Sequence, residues 1–195
     1  MTVLAETASH WNTAGPRPTA VSVSNGAYSP ATATATQGGR VTWTFTGNKQ
    51  HSVTDSAGLG AAGKPLFDSG AKTSGNYVFQ FSAAGTYAYK STANGDSFTG
   101  TIAIAPVVSH PGASYVVIWA AARMAGYVFD VQYRFKPAGS TKWGSWTAWQ
   151  SGTANPNATF VPPRRNGTYS FHAALRNAST GKKSGDSPDA QVIVP

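Results

Sequence analysis

The sequence predicts an all-β protein built as two tandem β-sandwiches, and three observations carry that prediction. Charged residues make up only 11% of the 195 positions, while Gly, Thr, Ser, Ala and aromatic residues are abundant and helix-favouring runs of Leu, Glu and Lys are missing. Short segments alternate apolar and polar residues between turn-forming ones, the pattern of half-buried strands. The length suits two bodies of roughly 90 residues, each large enough to bury its own core.

In chain order, residues 1–18 fit neither body. They carry Pro16 and Pro18 and read as an N-terminal arm that needs a partner surface to become ordered. Residues 19–105 form the first expected domain. "TAVSVSNGAYSPATATATQGG" alternates small apolar and polar residues, turns at Asn25-Gly26 and ends at Gly38-Gly39. "RVTWTFTG" places Val41, Trp43 and Phe45 on one face, "NYVFQFSAAG" does so with Tyr77, Phe79 and Phe81, and "TYAYKS" with Tyr87 and Tyr89. "FTGTIAIAP" closes the domain with Ile102 and Ile104.

The stretch "APVVSHPGAS", with Pro106, Pro111 and Gly112, reads as a linker or the lead into a new first strand, so the second domain spans 106–195. "SYVVIWAAA", "GYVFDVQYRFKP", "TKWGSWTAWQSG", "NATFVPP", "GTYSFHAALRNA" and "DAQVIVP" have the spacing of an antiparallel sandwich. Its expected core draws on Trp119, Val128, Val131, Tyr133, Phe160, Tyr169, Phe171, Leu175 and Ile193. Tyr87 and Tyr169 each follow a Gly-Thr pair, where a tyrosine can bury its ring and bond its hydroxyl to nearby backbone.

Zero cysteines exclude disulfides, thiolate nucleophiles, Fe–S clusters, Cys-zinc sites and a copper thiolate. No apolar run is long enough to span a membrane as a helix, and "MTVLAETASHWNTAG" lacks the basic and apolar regions of a signal peptide. The formal net charge of +8 is uneven: residues 107–195 hold nine basic residues against Asp130, Asp186 and Asp189. That balance suits ordinary solubility, and it also suits an anionic glycan or an acidic protein surface.

Residues 20–105 look like a plastocyanin-type cupredoxin domain, through "YSPATATATQGGRVTWTFTGNKQHSVTD", "FDSG", "YVFQFSAAGTYAYKST" and "GTIAI" in that family's order. Residues 107–195 resemble a fibronectin type III domain, through "GYVFDVQYRFKPAGSTKWGSW", "GTYSFHAALRN" and "SGDSP" before the last strand. The cupredoxin resemblance implies four copper ligands, and it places the first histidine on His51, the cysteine on Ser91 and the second histidine on Asn94. The axial methionine has no counterpart among Gly95, Asp96, Ser97, Phe98 and Thr99. Blue copper needs two imidazoles and a thiolate, so the resemblance implies a scaffold with no metal and no cofactor. His51 is then expected to be a strand-end histidine satisfied by a polar neighbour.

Other chemistry finds little support. His10, His51, His110 and His172 show no metal-ligand spacing, and no nucleophile elbow, dinucleotide fingerprint or phosphate loop is present. Ser52 and His51 in "HSVTD" are adjacent on a strand and face opposite ways, against a Ser, His, Asp triad. The chain is expected not to be an enzyme.

Surface binding is the remaining route. "KWGSWTAWQ" spaces Trp143, Trp146 and Trp149 three apart, so a regular strand puts Trp143 and Trp149 on one face and Trp146 on the other. At least one indole should be core, and the others could stack under Arg134, Arg164 or Arg165 or face a sugar or protein. "PPRRNG" and "GKKSG" concentrate Arg164, Arg165, Lys182 and Lys183 on turns, either as solvated tips or as contacts. Nothing joins charge and aromatics into a nucleic-acid groove. Sequons at Asn157, Asn166 and Asn177 matter only in a glycosylating host.

The expected function is therefore a non-catalytic structural or adhesive protein. A chain that begins at Met1, lacks an export leader and ends on "QVIVP" reads as a complete small protein of a virion surface, a capsid decoration or tail component with protein partners held through residues 1–18. Two alternatives stand beside it: a secreted bacterial cell-surface module binding glycan or protein outside the cell, and a copper electron-transfer protein with rebuilt ligands.

Overall fold

The computed structural model describes residues 18–110 and 114–195; the expected arm lies, except for Pro18, outside the described residues. Alternation of side chains decides the strands. The first group is β1 Thr19–Ser24, β2 Ala27–Ser29, β3 Thr32–Thr34, β4 Gly39–Phe45, β5 Thr54–Asp55, β6 Gly75–Phe81, β7 Gly85–Lys90 and β8 Thr99–Ile104. The second is β9 Val107–Ser109, β10 Tyr115–Ile118, β11 Tyr127–Pro137, β12 Thr147–Thr153, β13 Asn157–Phe160, β14 Gly167–Asn177 and β15 Ala190–Val194. Strand is the dominant structure, as composition predicts.

Four sheets result. The first group makes β2-β1-β4-β6 and β3-β8-β7-β5; the second makes β13-β10-β9 and β12-β11-β14-β15. Most pairs are antiparallel, while β1 runs parallel to β4 and β3 parallel to β8. Within the stretch after Ile104, Val107–Ser109 form β9, which pairs antiparallel with β10.

Between the first two sheets, Trp43 is fully buried and meets Phe67, Tyr77, Phe81 and Tyr89 with ring centroids 5.5–6.3 Å apart. Phe160 plays the same part in the second sandwich, against Tyr133, Trp149, Tyr169 and Phe171 at 4.8–5.2 Å. Both expected tyrosine corners form. The Tyr87 hydroxyl donates to the Ala83 carbonyl at 2.9 Å, and the Tyr169 hydroxyl donates to the Arg164 carbonyl at 3.0 Å while accepting from its N–H at 2.7 Å.

Two core expectations need correction. Ile193 is 75% exposed and Val128 only half-buried, because the inward residues of β15 and β11 are Val194, Phe129 and Val131. A one-residue error in parity moves a strand residue to the other face.

The two sandwiches share backbone hydrogen bonds. Ala84 donates to Trp119 at 2.7 Å and Ala121 to Ser82 at 2.8 Å, and Thr86 and Gly185 exchange both bonds at 2.9 Å. Asn177, 3% exposed, donates its amide to the carbonyls of Leu59 and Gly60 at 3.0 and 3.1 Å. Gly85 is required at this seam, since a Cβ there would come 2.6 Å from the Ser184 hydroxyl. Burial of Asn177 also removes that sequon from the accessible surface.

Candidate functional site

Two regions hold the residues that sequence singles out. In the first, β4 and its outgoing loop bring His51 to the end of the sandwich, where the loop after β7 returns with Ser91, Asn94 and Asp96. His51 is 2% exposed, with Nδ1 2.7 Å from an Asp96 carboxylate oxygen and Nε2 3.3 Å from Asn25 Oδ1. Asn25 Oδ1 also accepts from the backbone of Asn48 and Lys49 at 3.2 and 3.3 Å. Phe98 meets the imidazole edge-on at 5.3 Å.

Ser91, 1% exposed, donates to the same Asp96 oxygen at 2.5 Å and accepts from the Ser52 N–H at 3.0 Å. Desolvation pushes the Asp96 carboxyl upward, but the Ser91 hydroxyl, the His51 imidazole and the Lys49 charge outweigh it and hold it below the usual carboxylate range. Asn94 turns with φ 51° and donates to the Gln50 carbonyl at 3.1 Å. His51 and Ser91 thus converge on a carboxylate, and Asn94 is turned to backbone.

These residues do not fit a blue-copper ion. Both ring nitrogens of His51 already face oxygen partners, and the position of the thiolate holds a hydroxyl bonded on both its donor and acceptor sides. Nor do they make a nucleophile, because the carboxylate sits between serine and imidazole and the imidazole does not touch the hydroxyl it would have to deprotonate. Ser52 bonds Thr54 and Thr92, each at 3.0 Å.

Asp55, 4% exposed, is a buried carboxylate that no sequence pattern singles out. Asp55 accepts from the N–H groups of Ala57, Leu59 and Leu66 at 2.8–3.0 Å, which folds the loop that offers Leu59 and Gly60 to Asn177.

The second region is the outer face of the β12-β11-β14-β15 sheet. Lys136 Nζ lies 5.0 Å from the Trp143 ring, Arg134 Cζ lies 4.7 Å from Trp143 and 4.4 Å from Trp146, and Trp146 stacks on His172 at 3.7 Å and 18°. Cation and ring alternate along this pile. Arg134 also bonds Asp189 at 2.6 Å, Asp189 accepts from Ser170 at 2.8 Å, and His172 Nε2 meets Gln132 at 3.0 Å. Burial is the main cause that lowers the His172 pKa, aided by Arg134 and Lys183 against the opposing pull of Asp186 and Asp189.

The tryptophans do not share faces as strand alternation predicts. Trp143 and Trp146 lie together on the outer face because both precede β12, where strand alternation does not apply. Trp149 is inside β12 and packs on Trp119, Phe160 and Phe171 at 5.2–5.9 Å. Arg134 takes the indoles, whereas Arg164 lies 5.8 Å above Phe135.

Arg164, Arg165, Lys182 and Lys183 are all exposed. The two pairs flank opposite ends of the eleven-residue β14, so roughly 30 Å separates them and they form no single patch. Asp130 is held below the usual carboxylate range by the bidentate Arg176 guanidinium at 2.7 and 2.9 Å, with the Gly152 N–H adding to it. Among the described residues no helix is long and apolar enough to cross a membrane.

No protein-family model matches the chain, and no curated protein sequence does. Among solved structures it is similar to the novel purple cupredoxin from Nitrosopumilus maritimus, at 23% identity over 44% of this chain and 98% of that one, with a TM-score of 0.37. It is also similar to the chicken interferon gamma receptor alpha chain, at 14% identity over 92% and 98% with a TM-score of 0.35. A chain of a cytokine receptor complex matches at 14% identity over 82% and 93%, with a TM-score of 0.32.

Proposed function

We propose that this protein is a non-catalytic structural or adhesive component working through its outer surface, set on a virion as a capsid decoration or tail protein. The observation that carries the reading is the seam between the sandwiches, where Ala84, Thr86, Ala121, Asn177 and Gly185 all bond across it. Such a body holds its surface patches at fixed separations, which is what a lattice or adhesive contact uses. In this reading the first sandwich is a cupredoxin-like scaffold whose metal positions have been refilled by the His51, Asp96 and Ser91 cluster, and the second is fibronectin type III-like. Protein partners through residues 1–18 and an anionic surface facing the basic second sandwich belong to the same proposal.

Immunogold electron microscopy of particles from the source culture tests it. Label on capsids or tails is the expected result. Label confined to cell envelopes favours a secreted adhesive module instead, and label confined to the cell interior overturns both.

A further inference from the structure

The geometry points to a binding pocket for a carboxylate-bearing sugar, such as a uronic or sialic acid unit, between the 143–147 segment and the turn at Pro163 and Arg164. The pocket has a volume of about 330 Å³, with the rings of Tyr133, Phe135 and Tyr169 inside it and Ser145, Thr147 and Arg164 around it. That size is at the lower end for small-ligand sites and suits a single sugar unit rather than a stretch of polymer. The inference rests on the surface-acting reading above and supplies it with a ligand class.

Its walls are held before any ligand arrives. On one side, the Trp143 and Trp146 rings are clamped by Lys136, Arg134 and His172, which fixes the loop carrying Ser145. On the other, the Tyr169 hydroxyl bonds both the N–H and the carbonyl of Arg164, which fixes the backbone that carries the guanidinium. The chemistry inside is mixed. Tyr169 is fully buried, so the half-buried Tyr133 and Phe135 rings are left to meet the C–H face of a pyranose, and the exposed Ser145 and Thr147 hydroxyls offer partners for sugar hydroxyls.

Arg164 supplies the discriminating group. Among the described residues its guanidinium takes part in no ion pair, and it stands 5.8 Å over the Phe135 ring at the pocket wall. One planar guanidinium matches one carboxylate through two parallel hydrogen bonds. A sulfated or phosphorylated ligand would call for further cations in the pocket. Arg165 lines a different cavity, beside Phe160 and Val161, and Lys182 and Lys183 lie beyond the far end of β14.

The test is NMR titration of the full chain with sodium glucuronate, N-acetylneuraminate, methyl glucoside and a short Glu-rich peptide, repeated on Arg164→Gln and Tyr133→Phe. Both acidic sugars should shift resonances of Gly144, Ser145 and Phe135, while methyl glucoside binds at least tenfold more weakly, the factor expected for one charge-assisted pair. Arg164→Gln should weaken the acidic sugars by about the same factor, without altering the fold, because Tyr169 bonds only the main chain of residue 164. Equal binding of neutral and acidic sugars, indifference to Arg164→Gln, or binding of the peptide alone would overturn the assignment. Failure here leaves particle labelling as the separate readout of the surface-acting role.

Discussion

His51 Nδ1 lies 2.7 Å from the carboxylate of Asp96, and that carboxylate also receives the Ser91 hydroxyl at 2.5 Å. Asp96→Ala strips two nearly inaccessible polar groups of their acceptor and should cost about 1–3 kcal/mol in urea unfolding. A loss smaller than the measurement error would sink the claim that this carboxylate organises the site. The pH dependence has a definite sign. Because the folded carboxyl titrates below its unfolded value, its contribution is present above about pH 4 and is lost as pH falls through the folded pKa. The stability gap between the natural chain and Asp96→Asn should therefore narrow in acid.

Copper titration should give no intense visible absorption and no tight one-to-one uptake, since His51 and Ser91 are already engaged. Tight stoichiometric copper with a strong visible band would refute the reading of this site.

His172 should titrate below its ordinary value of about 6.5. Burial disfavours the imidazolium and decides the balance; Asp186 and Asp189 favour it, each more strongly than Arg134 or Lys183 opposes it. Its contribution to stability is thus full above about pH 6.5 and declines as pH falls through the folded pKa. An NMR midpoint at or above 6.5 contradicts this balance.

Asp55→Ala leaves the N–H groups of Ala57, Leu59 and Leu66 without their acceptor; only the Leu59 bond is fully buried, so the loss should be about 1–3 kcal/mol. Hydrogen exchange should accelerate at Leu59 and Leu66 first. Unchanged exchange at both would show that the loop is held by other means.

Tyr89→Phe and Tyr169→Phe form a contrasting pair. The buried Tyr89 hydroxyl and the Trp43 indole nitrogen interact without making a hydrogen bond of good geometry, so removal of the hydroxyl should change thermal stability little. Tyr169→Phe leaves the Arg164 N–H without its acceptor and should cost about 1 kcal/mol or more. Equal losses in the two variants would dismiss the corner as a stabilising device.

Local alternation made much of the fold legible. Val41, Trp43, Phe45, Phe81 and Tyr87 are buried where period-two patterning puts them. The same rule misplaced Ile193, because parity read without its partner strand has no anchor, and it misplaced Trp143, because the rule ends where the strand does. The site was half legible. Aligning motifs located His51, Ser91 and Asn94, yet Asp96 stood out only as a residue that was not methionine. Its role depends on a contact across 45 positions, which no local pattern encodes. The acceptor role of Asp55 and the opening above Tyr133 and Phe135 were hidden for a like reason: each is defined by what folds over it.

The pile of Lys136, Trp143, Arg134, Trp146 and His172 has a kinetic consequence. A segment immobilised in advance has no gate to shut after a ligand arrives, so association should follow a single exponential whose rate rises linearly with ligand concentration and falls with added salt.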